Sequence, residues 1–241
     1  MTHSLPSDAD QRAFWNTWNS RDRNLERGID PFMRRQTEVA MEWALARKDK
    51  PLRILEVGCG TGWLSAQLRP FGEVTGVDLS PAAIEQAQVR APDVKFIAGD
   101  FASMKLDGPF SFVVSADVIA HVPDQAQFVE QIADLMPVGG VFVLMTQNAF
   151  VWNRSSNLQP QGAGQIRKWS TRRKLAGLLR RHFRVRHQSS IFPGGDRGIL
   201  RITSSYKLNA VMKSVLGEAR WRRLLERFFI GRELVLVAEK I

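Results

Sequence analysis

The chain has 241 residues, 44% of them hydrophobic, with a net charge of +10 and Cys59 as its one cysteine. One domain with a sizeable core follows from that length. An intramolecular disulfide is excluded, and no apolar run reaches the ~18 residues of a spanning helix. The charge is divided unevenly. Residues 1–150 carry 14 Lys and Arg against 19 Asp and Glu, whereas residues 151–241 carry 20 against 5. A mildly acidic front and a strongly basic back point to different duties.

The first stretch, MTHSLPSDADQR, is polar and lacks the apolar core of a signal peptide. With a single cysteine, it makes a reducing cytoplasm the expected location. RAFWNTWNSRD reads as a polar, Trp-bearing helix. PFMRRQTEVAMEWALARK predicts a helix starting at Pro31, with Met33, Thr37, Ala40 and Ala44 along one face. Strand-like runs follow: LRILEV, EVTGVD, VKFIAG, FSFVVSA and VFVLMT. Several are continuously apolar, as parallel strands covered on both faces require. Between them, Ser80 and Pro81 open one helix as N-cap and first helical residue. DQAQFVEQIADLM puts Phe128, Val129, Ile132, Leu135 and Met136 on one face of another. Strand–helix alternation over five strands predicts a doubly wound α/β sheet.

After Thr146 the pattern changes. QNAFVWNRSSNLQPQGAGQ reads as a loop, STRRKLAGLLRRHF as an amphipathic helix and FRVRHQSSIF as a strand. LNAVMKSVLGEARWRRLLERFF predicts two helices around Gly217, with Leu224, Leu225 and Phe228 inward and Gly231 as a C-cap; ELVLVAEK is the last strand.

The stretch ILEVGCGTGWLSAQL, Ile54 to Leu68, carries the chemistry. Gly58, Gly60 and Gly62 stand where the first strand hands over to a helix. Ligands of open α/β sheets bind beyond the carboxyl ends of the strands. Glycines there permit positive φ and clear space for a ligand, and the helix N-terminus offers free N–H groups. Asp78 ends the second strand, 20 residues after Gly58, where a carboxylate can accept from both hydroxyls of a ribose. A nucleoside-containing cofactor is expected. The dinucleotide fingerprint needs a glycine where Trp63 stands, and a phosphate-cradling loop needs a lysine that is absent.

Glu56-Val-Gly-Cys-Gly-Thr-Gly, the acid at the end of strand two, and Gly99-Asp100-Phe101 after strand three together resemble the class I S-adenosylmethionine-dependent methyltransferases, in particular the small-molecule enzymes of ubiquinone and menaquinone type. The resemblance covers Leu52 to Thr146 and extends to the final strand. It implies a seven-stranded, mostly parallel sheet whose last strand is antiparallel, with an α-rich substrate cap. It implies that Gly58, Cys59, Gly60 and Gly62 pass beside the methionine part of S-adenosylmethionine, with Glu56 orienting the amino group. Asp78 would hold the ribose and Leu79 pack on the adenine. Asp100 would reach the adenine amino group, and Phe101 would line its pocket. Ala116 closes the fourth strand, and Trp15 would lid the cofactor. In SADVIAHVPD, His121 stands where relatives read E-x-x-E-H-V-P, and Ala120 removes one carboxylate of that pattern, so no metal site is implied.

In-line transfer needs alignment and exclusion of water. A hydroxyl or ammonium acceptor must also lose a proton, for which His121 is the candidate base and Asp117 the second catalytic candidate. The bland alternatives are that His121 caps the next helix and that Asp117 is a structural acceptor.

The expected organisation is a single domain: an N-terminal helical segment (1–50), a cofactor-binding core (51–146), a substrate cap with strand six (147–232) and a final strand (233–241). The expected substrate is a small molecule, anionic or lipid-linked because the cap is basic, and methylated on oxygen. Arg172, Arg173, Lys174, Arg180 and Arg181 on one cap helix, with Arg220, Arg222, Arg223 and Arg227 on another, make contact with an anionic membrane an expected partnership. Nucleic acid is the less favoured partner, since no stacking platform lies among these arginines. RNA methylation and a non-catalytic cofactor-binding scaffold are the alternative functions.

Overall fold

The computed structural model describes residues 5–20, 30–47, 51–156, 158–198, 200–203 and 205–241. Arg21, Asp22 and Lys48, included in the predicted N-terminal helices, lie outside them. The five apolar runs form β1 (Leu52–Val57), β2 (Gly72–Asp78), β3 (Lys95–Ala98), β4 (Phe112–Ala116) and β5 (Val141–Gln147), paired in parallel. With β6 (Phe183–Pro193) and β7 (Gly231–Lys240) they make one seven-stranded sheet in the order β3-β2-β1-β4-β5-β7-β6. β7 is antiparallel to both its neighbours. The doubly wound sheet with an antiparallel last strand is therefore present as predicted.

Both faces of the sheet are buried, which explains the unbroken apolar strands. In β1, Ile54 faces one core with Ala40, Leu64 and Leu68, while Leu55 and Val57 face the other with Phe128, Ile132 and Leu179. The first core is covered by α2 (Pro31–Leu45), α3 (Trp63–Leu68) and α4 (Pro81–Arg90). The second is covered by α5 (Gln125–Asp134) and α7 (Arg172–Leu179). α4 starts as predicted, with the Ser80 hydroxyl accepting from Ala83 N. α1 (Asp8–Ser20) lies outside the sheet against α4, where Ser80 Oγ donates to Asn16 Oδ1 at 2.7 Å.

Three features differ from the sequence reading. The segment read as loop after Gln147 contains α6 (Ala149–Trp152), capped by Asn148, and a four-residue helix carries no periodicity to detect. α8 (Leu200–Thr203), α9 (Tyr206–Leu216) and α10 (Glu218–Arg227) follow in the cap. Gly231 opens β7 instead of capping α10, and a Cβ there would stand 2.3 Å from Ile191 O across the ladder. Leu224 and Phe228 are exposed, because Trp221, Leu225 and Glu226 already occupy the inward stripe of α10.

Candidate active site

The chain winds from β1 out to β3, then returns to place β4 on the other side of β1. That switch point opens a crevice at the carboxyl ends of β1 and β4. Two cavities meet there, of 230 Å³ and 260 Å³, sharing Trp18, Asn19, Gly58, Gly60 and Ala116 in their walls.

The loop after β1 is bent by its glycines, Gly58 at φ +79°, Gly60 at +50° and Gly62 at +75°. Asp78 fixes it, accepting from Gly60 N at 2.9 Å and Ser80 N at 2.8 Å, one on each oxygen. A carboxylate has about four lone-pair sites, so both oxygens keep capacity for a ligand hydroxyl. Burial raises the Asp78 pKa against the lowering effect of these two N–H groups. Beyond Asp78 one end of the crevice is walled by Leu79, Asp100 and Phe101. Asp100 caps a short 3-10 turn, and Phe101 packs edge-on against Phe128 at 5.5 Å.

Toward the other end lie Glu56 and Cys59. Glu56 is buried and accepts a very short hydrogen bond from Ser65 Oγ. Burial lifts its pKa to about 8, only partly opposed by Ser65. The Cys59 thiol is likewise pushed well up by burial, which makes it inert as a nucleophile at neutral pH.

Between these ends, the segment after β4 brings Asp117 and His121 to the wall of the first cavity. His121 Nδ1 lies 2.6 Å from Ile166 O. A carbonyl can only accept, so Nδ1 carries the proton and Nε2 presents its lone pair. Burial lowers the histidine pKa, which keeps the ring neutral near pH 7. Trp15 packs edge-on against the ring at 4.9 Å. The loop bearing Ile166 is itself clasped to the same segment, Lys168 N donating to Ala120 O at 2.7 Å.

Asp117 adopts φ 60° and donates its N–H to Met145 O at 3.0 Å. Its Oδ2 accepts from Gln36 Nε2 at 2.9 Å, and the same amide nitrogen donates to Glu233 Oε1 at 2.7 Å. Burial raises the pKa of both acids, and the nearby Asp117 raises that of Glu233 further.

A family model described as a methyltransferase domain matches residues 25–188. The ubiquinone biosynthesis O-methyltransferase of Paracidovorax citrulli is 35% identical over 104 residues, 40% of this chain and 44% of that one. The trans-aconitate 2-methyltransferase of an Enterobacter species is 32% identical over 94 residues, 38% and 37% of the two chains. The crystal structure of the N-methyltransferase NodS of Bradyrhizobium japonicum with S-adenosylhomocysteine superposes with a TM-score of 0.66, covering 96% of this chain and 98% of that one at 14% identity.

The chain belongs to the S-adenosylmethionine-dependent methyltransferases. The aligned segments span about half the length, or less, of the curated relatives. The residues present fit the cofactor of this family. The crevice runs over Gly58 and Gly60, where side chains are missing, from Asp78 at one end to a buried, singly partnered Glu56 at the other.

Of the residues expected at the methyltransferase cofactor site, Trp15, Glu56, Gly58, Cys59, Gly60, Asp78, Leu79, Asp100, Phe101 and Ala116 all line the crevice. Gly62 lines neither cavity. It is the left-handed N-cap of α3, and a Cβ there would meet Ala87 Cβ at 2.8 Å and Phe96 Cζ at 2.9 Å, so its glycine serves packing. The sequence reading missed Gln36 and Glu233. A polar residue on the buried face of α2 and an acid opening an apolar strand were the available signals. The basic residues singled out in the cap line neither cavity.

Proposed function

We propose that this methyltransferase transfers the methyl group to an oxygen of a small molecule, with His121 as general base. The observation that carries the reading is the fixed tautomer of His121, whose free Nε2 belongs to a buried, neutral ring in the cavity wall. Bound S-adenosylmethionine supplies a methyl group already activated on a sulfonium. The chain then has two duties: to orient the acceptor, and to take the proton of its hydroxyl at Nε2. Trp15 and Trp18 of α1, in an aromatic cluster with Phe14, wall the crevice and limit its contact with water. The likeness to the ubiquinone biosynthesis O-methyltransferases supports oxygen as the acceptor. The lone Cys59 thiol fits a cytoplasmic location.

Turnover of His121→Ala on a hydroxylated acceptor should fall by about 10²–10⁴, with the affinity for S-adenosylhomocysteine unchanged. Unchanged turnover would leave His121 a structural residue and remove the basis for the reading.

The cap supports a second reading, contact with an anionic membrane from which a lipid-linked substrate is taken. α9 buries no residue, and Tyr206 (87% exposed), Val215 (73%) and Phe228 (64%) project beside the exposed Arg222, Arg223 and Arg227. Such a mixed apolar and basic surface suits a bilayer interface. No described helix is long and apolar enough to cross a membrane. Co-sedimentation with phosphatidylglycerol vesicles, absent with phosphatidylcholine and lost in the R222E/R223E variant, is the expected result. Equal behaviour with both lipids would refute it.

A further inference from the structure

The acid pair behind the cavity wall that carries Asp117 and His121 has a chemistry of its own. Asp117 and Glu233 reach one amide nitrogen, Gln36 Nε2, whose two N–H groups are thereby both used. Asp117 Oδ1 and Glu233 Oε2 are buried and have no hydrogen-bond partner, and Glu233 is 0% exposed. No Lys, Arg or His among the described residues forms an ion pair with either acid. Asp117 also holds a left-handed backbone, and such strain clusters at ligand clamps.

The surroundings add to the same field. Asp8, Asp78, Asp100 and Asp124 line the cavity with Asp117, and among the described residues no lysine or arginine lines it, although Arg167 and Lys168 act electrostatically on the lining residues His121 and Asp124. A cavity walled by one sign of charge concentrates the opposite sign. A carboxylate or phosphate beside Asp117 would meet the negative charge of that carboxylate, which argues against the anionic group expected from the basic cap.

We propose that Asp117 binds a cationic amine of the substrate, with Gln36 and Glu233 positioning the carboxylate and adding a second acceptor behind it. This rests on the reading of the chain as an O-methyltransferase and narrows its substrates to hydroxylated amines. The amine supplies the N–H donors that Asp117 Oδ1 lacks, and its charge offsets that of the Asp117 carboxylate.

Three phenols of matched shape test the assignment: tyramine, 4-ethylphenol and 4-hydroxyphenylacetate, titrated into the chain with S-adenosylhomocysteine present. Tyramine should bind at least ~10-fold more tightly than 4-ethylphenol, consistent with one charge-assisted hydrogen bond, and 4-hydroxyphenylacetate least tightly. D117N should erase the preference. E233Q should reduce it while leaving 4-ethylphenol binding unchanged, a split that a purely structural role would not produce. Equal affinities, a preference for the carboxylate, or no saturable tyramine binding overturns the proposal. So does a loss of affinity for S-adenosylhomocysteine or S-adenosylmethionine in D117N, which would assign the acids to the cofactor. Failure of the oxygen reading shows separately, as cofactor and tyramine binding without methylation of any phenol.

Discussion

The glycine loop can be taken apart by two substitutions with different expected effects. At Gly58, φ is +79° and an added Cβ would stand 2.0 Å from Val118 Cγ2. An L residue in that conformation costs about 1–2 kcal/mol, and forcing a methyl into filled space adds roughly 1–3 kcal/mol. Gly58→Ala should therefore lose about 2–5 kcal/mol, a fall in Tm of about 4–20 °C for a chain of this length. Val118 lines the crevice beside His121, so its displacement should also weaken cofactor binding. Gly62→Ala meets a comparable clash, but with Ala87 and Phe96 on the far side of the loop. It should lower Tm by a similar amount and leave cofactor affinity nearly intact below the transition. Thermal unfolding and calorimetry with S-adenosylhomocysteine measure both quantities. Adding Val118→Ala should rescue cofactor binding in Gly58→Ala and do nothing for Gly62→Ala. An unaltered Tm in Gly58→Ala, or equal loss of cofactor affinity in both variants, would refute this division of roles.

Two further outcomes concern buried acids. Glu56 titrates at about 8 when folded against an ordinary value of 4.5, so across that window the folded chain holds a proton that the unfolded chain has released. Stability should fall as pH rises from about 4.5 to 8, and Glu56→Gln should flatten that slope in pH-dependent urea unfolding. Because the cofactor's amino group favours the ionised acid, wild-type binding should release a proton near pH 7, seen in calorimetry in two buffers and absent in Glu56→Gln. Arg35 Nε and Nη2 meet the two oxygens of Glu226 at 3.3 Å and 3.2 Å, tying α2 to α10. Glu226→Ala should cost about 1–3 kcal/mol, less than for a fully isolated buried charge because Arg35 keeps Glu38 and Glu42. Proteolysis within residues 206–227 should then quicken, and an unchanged rate would show that Trp221 and Leu225 hold the hairpin alone.

The cofactor half of the crevice was legible in the sequence and the acceptor half only partly so. Gly58, Asp78 and Asp100 stand at the ends of consecutive strands, so their meeting follows from the winding of the sheet. Local signals place them, because each strand end is marked by an apolar run that stops. His121 was visible as a residue type, but its tautomer depends on Ile166, 45 positions away. Gln36 meets Asp117 across 81 positions and Glu233 across 197. No periodicity records such pairings. The three glycines show the opposite limit, since one spacing contains both a ligand-facing residue, Gly58, and a packing residue, Gly62.

Helix α2 links the two halves. Met33, Gln36 and Thr37 wall the cavity that holds Glu56, while Gln36 also holds Asp117 on the acceptor side. The same helix is anchored at Arg35 to α10 in the basic cap. A shift of α2 therefore acts on Gln36 and on the cap together, and Asp117 cannot follow freely because its own N–H is held by β5 at Met145. Packed elements of this kind move as units. The sheet holds both acids and one helix sets the hydrogen bonds that Gln36 gives them, so substitutions at the contact of α2 with α10 should alter acceptor preference without touching either cavity.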